Sequence, residues 1–161
     1  MEQVIPRSRL PQEILGKELE RIAKAGAVFK TGVRVNRQKF EDIRHSHDAI
    51  IVATGAHVPR IFPWIGQENV VKGLDFLKAI NRGEQPKVGR KVIIIGCGNS
   101  GMDAATGAYQ MGAEQVVCID VQRPAAFEKE INHVRQLGGQ IIWPVFVKEI
   151  TPEGIITTDG Q

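Results

Sequence analysis

Gly96, Gly98 and Gly101 stand at the spacing Gly-x-Gly-x-x-Gly and are the residues best placed in this sequence to bring a backbone against a phosphate. They follow the apolar run KVIII (91–95) directly, and a helix-compatible stretch reaching about Met111 follows them. This order, strand then glycine loop then helix, is what a dinucleotide-binding fingerprint requires. Each glycine has a separate task. Gly96 takes the tight turn out of the strand, Gly98 allows close approach to a pyrophosphate, and Gly101 lets the helix pack on the strand. The free N–H groups at the start of the helix then face the anion, aided by the helix dipole. The loop candidates are Gly96, Cys97, Gly98, Asn99, Ser100 and Gly101. An ordinary glycine-rich turn that binds nothing is the alternative.

The same fingerprint expects a carboxylate at the end of the second strand. Asp120 closes QVVCID (115–120), nineteen residues after Gly101. A carboxylate there can accept both hydroxyl hydrogens of an adenosine ribose; a turn or cap aspartate is the alternative. Arg123 follows three residues later, and an arginine nearby can receive a 2′-phosphate. On balance the acid favours NADH over NADPH.

Other constellations are weaker. Cys97 and Cys118 form no Cys-x-x-Cys pair and cannot make a zinc site alone, so both read as packed, reduced thiols. Cys97 does sit at a helix N-terminus, which lowers a thiol pKa. His45 and His47 would face one way on a strand, yet only Asp48 adjoins them as a further ligand, so a solvated loop is expected and no metal site. His57 and His133 are isolated. Tyr109 has Ala113 four residues on, where a short-chain dehydrogenase needs lysine. No catalytic residue is expected: hydride chemistry belongs to the cofactors, and the protein supplies position and electrostatics.

The elements around the loop read as an alternating series. PQEILGKELERIAKAG (11–26) is a predicted helix with Leu15, Leu19 and Ile22 on one face and Gly26 as its stop. AVFKTGVRV (27–35) reads as a strand interrupted by Gly32, and DAIIVATG (48–55) as a short buried strand. GLDFLKAI (73–80) reads as a brief helix, and NRGEQPKVG (81–89) as a linker. After the glycine loop come the strand at 115–119, a helix over 125–139 with Phe127, Ile131 and Val134 on one face, and a strand QIIWPVF (140–146). TPEG (151–154) is a turn into IITT. The expected fold class is α/β, a Rossmann-like dinucleotide-binding βαβαβ with a parallel sheet.

Composition narrows the classes further. The 161 residues are 42% hydrophobic and 24% charged, within the range of folded globular domains. The net charge of +3 is spread among interleaved acids, too weak a bias to point to nucleic acid. The longest apolar runs, AIIVA (49–53) and VIII (92–95), fall far short of the ~20 residues of a membrane helix. The N-terminus lacks a signal-peptide core, so a cytoplasmic protein is expected.

The segment KVGRKVIIIGCGNSGMDAATGAYQMGAEQVVCID (87–120) resembles the NAD(P)H domain of the glutamate synthase small-subunit family, FAD-dependent pyridine nucleotide oxidoreductases that include the N-terminal half of dihydropyrimidine dehydrogenase. The family motif is similar to G-G-G-N-x-A-M-D-A-A, and here it stands as Gly96-Cys97-Gly98-Asn99-Ser100-Gly101-Met102-Asp103-Ala104-Ala105. IPRSRLPQEIL (5–15), DAIIVATGA (48–56) and GLDFLKAINRGEQP (73–86) recur in the family in the same order. The resemblance implies that Ala53-Thr54-Gly55 closes an FAD-type domain, with small residues that let backbone come near the flavin.

It implies domains of 1–80, the C-terminal part of an FAD-binding-type domain, and 81–161, an NAD(P)H domain incomplete at its C-terminus. It implies hydride transfer from NAD(P)H to FAD and onward transfer to an electron-accepting subunit or domain. The chain departs from the family in three respects. The family's FAD glycine fingerprint and its iron–sulfur cysteines, expected before residue 1, are absent, and Val121 and Gln122 occupy positions where arginines suited to NADPH usually stand. An internal piece of a longer flavoprotein is therefore expected, inactive and colourless by itself, with an unpaired sheet edge that favours a homodimer. A nucleotide-binding regulatory or interaction module without turnover is the second reading.

Overall fold

The computed structural model describes residues 3–56, 58 and 62–159, and these divide into two compact units. One comprises residues 12–57 and the other the first eleven residues with 58–161.

The larger unit is built on β1 (Lys91–Ile95), α4 (Asn99–Gln110), β2 (Gln115–Ile119), α5 (Glu128–Gln136) and β3 (Gln140–Ile142). The three strands are parallel in the order β1-β2-β3, with Ile95 opposite Ile119 and Cys118 opposite Ile141. This is the expected βαβαβ. The two helices cover one face of the sheet, where Met102, Ala105, Ala108, Ile131 and Val134 pack on Val116 and Cys118. The other face stays open, with Ile93, Ile95 and Ile142 exposed.

α4 is buried along most of its length because its side chains are small: Ala104, Ala105, Gly107 and Ala108 let neighbouring elements close in. A Cβ on Gly107 would lie 2.8 Å from Ile80 Cδ1 and 3.3 Å from Phe76 Cε1, both on α3 (Gly73–Asn81).

β3 is shorter than the expected strand over 140–146. Pro144 has no N–H to give a ladder, and pairing stops two residues before it. The turn at 151–154 joins β4 (Val147–Thr151) to β5 (Gly154–Thr157) in an antiparallel hairpin. Thr151 Oγ1 accepts N–H bonds from Glu153 and Gly154 across that turn. β4 is not legible as a strand, since VKEIT lacks alternation.

The smaller unit contains α1 (Gln12–Lys24) and α2 (Arg37–Ser46), neither with a buried residue. α2 replaces the loop expected around His45: Asn36 caps it, its side chain accepting from Lys39 N–H at 2.8 Å. The strands expected at 27–35 and 48–55 do not form. A strand is held by cross-strand bonds, and no described segment pairs with either stretch, so Val28 (80% exposed) and Ile51 (90%) face solvent. Among the described residues no helix is long and apolar enough to cross a membrane.

Candidate functional site

β1 ends by handing its ladder to the loop: Gly96 N–H donates to Ile119 O at 2.8 Å. Gly96 then turns at φ +104°, in the left-handed region that a side chain disfavours. Gly98 is different. At φ −82° it is ordinary extended backbone, the N-cap of α4, and no heavy atom lies within 4 Å of where its Cβ would project. Gly101 is the tightest point, because a Cβ there would stand 1.9 Å from Gly96 O and 3.6 Å from Ile94 Cγ2. The helix therefore starts directly against the strand end. Its first turn carries no acidic residue and no side-chain cap, so the amides of the first turn stay available to an anion.

Asp120 lies at the end of β2, half-buried, and its carboxylate is engaged by backbone. Oδ2 accepts from Cys97 N–H at 2.6 Å, and Oδ1 from Gln122 N–H at 3.2 Å. Each oxygen keeps a second lone pair. The connection after Asp120 folds back on the glycine loop: Ala126 N–H donates to Cys97 O at 3.2 Å, and Phe127 N–H to Asn99 Oδ1 at 2.9 Å. Arg123 is exposed on this connection and Ser100 is exposed at the helix start. The loop residues 96–101, Asp120 and the connection bearing Arg123 are thus bonded together at the C-terminal ends of β1 and β2, where ligands bind in open parallel sheets.

Ala53, Thr54 and Gly55 belong to the unit of residues 12–57, where they are exposed and Gly55 has φ +76°.

The expectation that a helix N-terminus lowers the Cys97 pKa is corrected. Cys97 is fully buried, and burial, followed by the neighbouring Asp120 charge, pushes its thiol up to about 11. Burial and then Cys97 push Cys118 up to about 12. Burial sets the direction at both positions, so both thiols are packing groups at neutral pH. His45 and His47 lie at the end of α2, where they bond Glu41 O and Ile43 O, and His133 is on α5. His57 lies outside the described residues. Among the described residues no group of three or more His, Cys, Asp or Glu is arranged to hold a metal.

Two engaged side chains escape a reading of sequence. Asn99 was expected only as a loop member, but its side chain fastens the 121–127 connection. Asp103, in the second turn of α4, is a buried carboxylate with a partner far upstream; its signal is a lone charge directly before the small residues 104–108.

The family model described as pyridine nucleotide-disulphide oxidoreductase matches residues 3–161. Among curated relatives, the chain is 29% identical to a putative glutamate synthase [NADPH] small chain of Cereibacter sphaeroides, over 97% of this chain and 40% of that protein. It is 26% identical to the glutamate synthase [NADPH] small chain of Azospirillum brasilense, over 95% of this chain and 36% of that one. It is 30% identical to the NAD-dependent dihydropyrimidine dehydrogenase subunit PreT of Escherichia coli K12, over 86% and 35%. The chain thus spans 40% or less of the length of these relatives. A solved 2-naphthoyl-CoA reductase superposes with a TM-score of 0.65 at 19% identity, over 89% of this chain and 22% of that one, a likeness of fold. With the family model matching from residue 3 to residue 161, the chain belongs to the pyridine nucleotide-disulphide oxidoreductase family.

Proposed function

We propose that this chain is the nicotinamide-dinucleotide-binding portion of a flavin-dependent oxidoreductase of the glutamate synthase small-subunit type. The observation that carries the reading is the glycine loop. Gly101 has no room for a side chain, whereas Gly98 opens onto unfilled space before an uncapped helix N-terminus. That is the shape a pyrophosphate cradle needs. In this reading Gly96, Cys97, Gly98, Asn99, Ser100 and Gly101 form the cradle, the amides opening α4 bind the phosphates, and Asp120 orients the adenosine ribose with its remaining lone pairs.

A bound nicotinamide dinucleotide supplies a hydride equivalent, which the flavin implied by the family resemblance would accept and pass on to a partner domain or subunit. The residues of this chain bind and orient; none need move a proton. Functionally, residues 81–161 carry the dinucleotide site and residues 1–80 the end of the flavin-binding side, with Ala53, Thr54 and Gly55 against the flavin. The compact unit also takes in α3 and the first eleven residues, so the packing boundary falls upstream of the functional one. Two reduced, buried thiols fit a cytoplasmic setting.

NADH is the favoured cofactor. Of the three relatives compared above, two are named for NADPH and one as NAD-dependent, so the preference rests on Asp120 and not on the comparisons. Asp120 sets a negative charge where a 2′-phosphate would sit. Two like charges ~4 Å apart at an effective dielectric near 20 cost about 4 kcal/mol. Screening in an open cleft reduces this to roughly one or two decades in affinity, and Arg123 offsets part of it. Titration of the unmutated chain and of Asp120→Ala with both cofactors tests the reading. The expected result is tighter NADH binding, with the preference shrinking in the variant. Equal or tighter NADPH binding by the unmutated chain would assign the site to Arg123 instead.

A further inference from the structure

Asp103 is the one buried charged side chain among the described residues, 8% exposed. A carboxylate so placed is costly unless a partner reaches it. The partner comes from 94 residues upstream: Arg9 Nη1 donates to Asp103 Oδ2 at 2.7 Å. The same guanidinium points Nε at Glu130 Oε1, 3.3 Å away in the first turn of α5. Arg9 therefore stands between two carboxylates on two helices.

Asn99 lies one turn before Asp103 on the same face of α4, and its side chain holds Phe127 N–H, the N-cap of α5. The start of α5 is thus tied to α4 at two levels. The residues leading into it, 120–127, are those that lie against the glycine loop through Cys97 and Asn99.

We propose that Arg9 is a positioning residue: by bridging Asp103 and Glu130 it fixes the start of α5 and so holds residues 120–127 against the glycine loop. Its consequence for cofactor affinity rests on the site reading given above. Asp103 lines a small cavity to which the segment before α1 contributes Arg9, α5 contributes Glu130 and His133, and α3 contributes Leu77, Ile80 and Asn81. With Arg9 removed, Asp103 and Glu130 face each other as like charges, and the N-terminal turn of α5 is free to move off α4.

The pH signature follows from the same geometry. Burial raises the Asp103 pKa, while Arg9 opposes that rise and Glu130 adds to it. Without Arg9 the carboxyl binds a proton more readily, so the repulsion is greatest at high pH and relieved as pH falls. The unmutated chain should gain no affinity as pH falls, because there a proton on Asp103 weakens its bond to Arg9.

The test compares the unmutated chain, Arg9→Met and Arg9→Met/Asp103→Asn in two measurements. One is hydrogen exchange at the amides of Ala126 and Phe127, and the other is NADH titration at pH 6 and pH 8. In Arg9→Met, exchange at both amides should accelerate. Its NADH affinity at pH 8 should fall roughly three- to thirtyfold, the range expected of coupling carried by remote side chains, and by less at pH 6. The double variant should recover both only in part, because it removes the like-charge repulsion without restoring the bridge to Glu130; full recovery would reduce Arg9 to a counter-ion and overturn its positioning role. Unchanged exchange at the two amides in folded Arg9→Met overturns the proposal. So does a loss, of binding or of folding, that Asp103→Asn does not relieve at all. If the unmutated chain binds no NADH while exchange responds as expected, the site reading fails and the Arg9 bridge stands.

Discussion

Gly98 and Gly101 lie three residues apart in one motif, yet alanine should act on them in opposite ways. At Gly101 the new methyl would meet Gly96 O at 1.9 Å, a backbone atom that cannot rotate aside. Ordinary contact requires α4 to retreat by roughly 1.5 Å, and overpacking of that kind costs about 1–3 kcal/mol. For a domain of this size the loss in Tm is roughly 3–10 °C. The retreat also carries the first-turn amides away from the phosphates, and a displacement of about 1 Å costs on the order of 100-fold where geometry is decisive.

At Gly98 the methyl meets no protein atom within 4 Å, and φ −82° suits alanine. Stability should hold or rise by about 0.4–1 kcal/mol through the unfolded chain. The methyl nevertheless occupies the space before the helix, so dinucleotide binding should be lost. Thermal melts followed by NADH titration separate the two. Gly98→Ala binding NADH like the unmutated chain would refute the cradle, and Gly101→Ala with an unchanged Tm would refute the packing argument.

Both thiols should resist alkylation at pH 8 in the folded chain. Because their folded pKa values are raised to about 11 and about 12, the stability they contribute is present below the ordinary thiol pKa and lost as pH rises toward those values. Melting temperatures should therefore decline above about pH 9, and rapid labelling of Cys97 at neutral pH would contradict its burial. The pure chain should be colourless and should not oxidise NAD(P)H with artificial acceptors, since the sequence holds a single Gly-x-Gly-x-x-Gly loop and no dithiol; a co-purifying flavin band or robust turnover would oppose this. Among the described residues no strand pairs with the outer sides of β1 and β3, and Ile93 and Ile95 are exposed. Sedimentation at high concentration should therefore show a dimer or larger species, and a clean monomer would count against it.

The sequence is most readable where local rules agree. Around Gly96–Gly101 the apolar strand, the glycines and the helix all point to one βαβ unit, and the structure has that unit with Gly96 left-handed and Gly101 packed on the strand. Helices α1 and α3 follow from local periodicity in the same way. The failures are non-local. An apolar stretch such as AIIVA records that burial is wanted but not whether a neighbouring strand is present to pair with it, and residues 48–55 form none. The helix at 37–46 has few apolar residues to set a period, although Asn36 was a usable cap signal. Cys97 reads from sequence as a helix-terminal thiol, and only the packing reveals that it is fully buried beside Asp120, which raises its pKa. The link from Arg9 to Asp103 spans 94 residues and has no local signature at all.

The most direct measurement is an amide-resolved NMR titration of the chain with NADH. The account predicts saturable shifts concentrated at residues 96–101 and 120–127, weaker with NADPH, and none of comparable size across the β4–β5 hairpin. Shifts centred elsewhere, or no saturable shift at millimolar NADH, would contradict it.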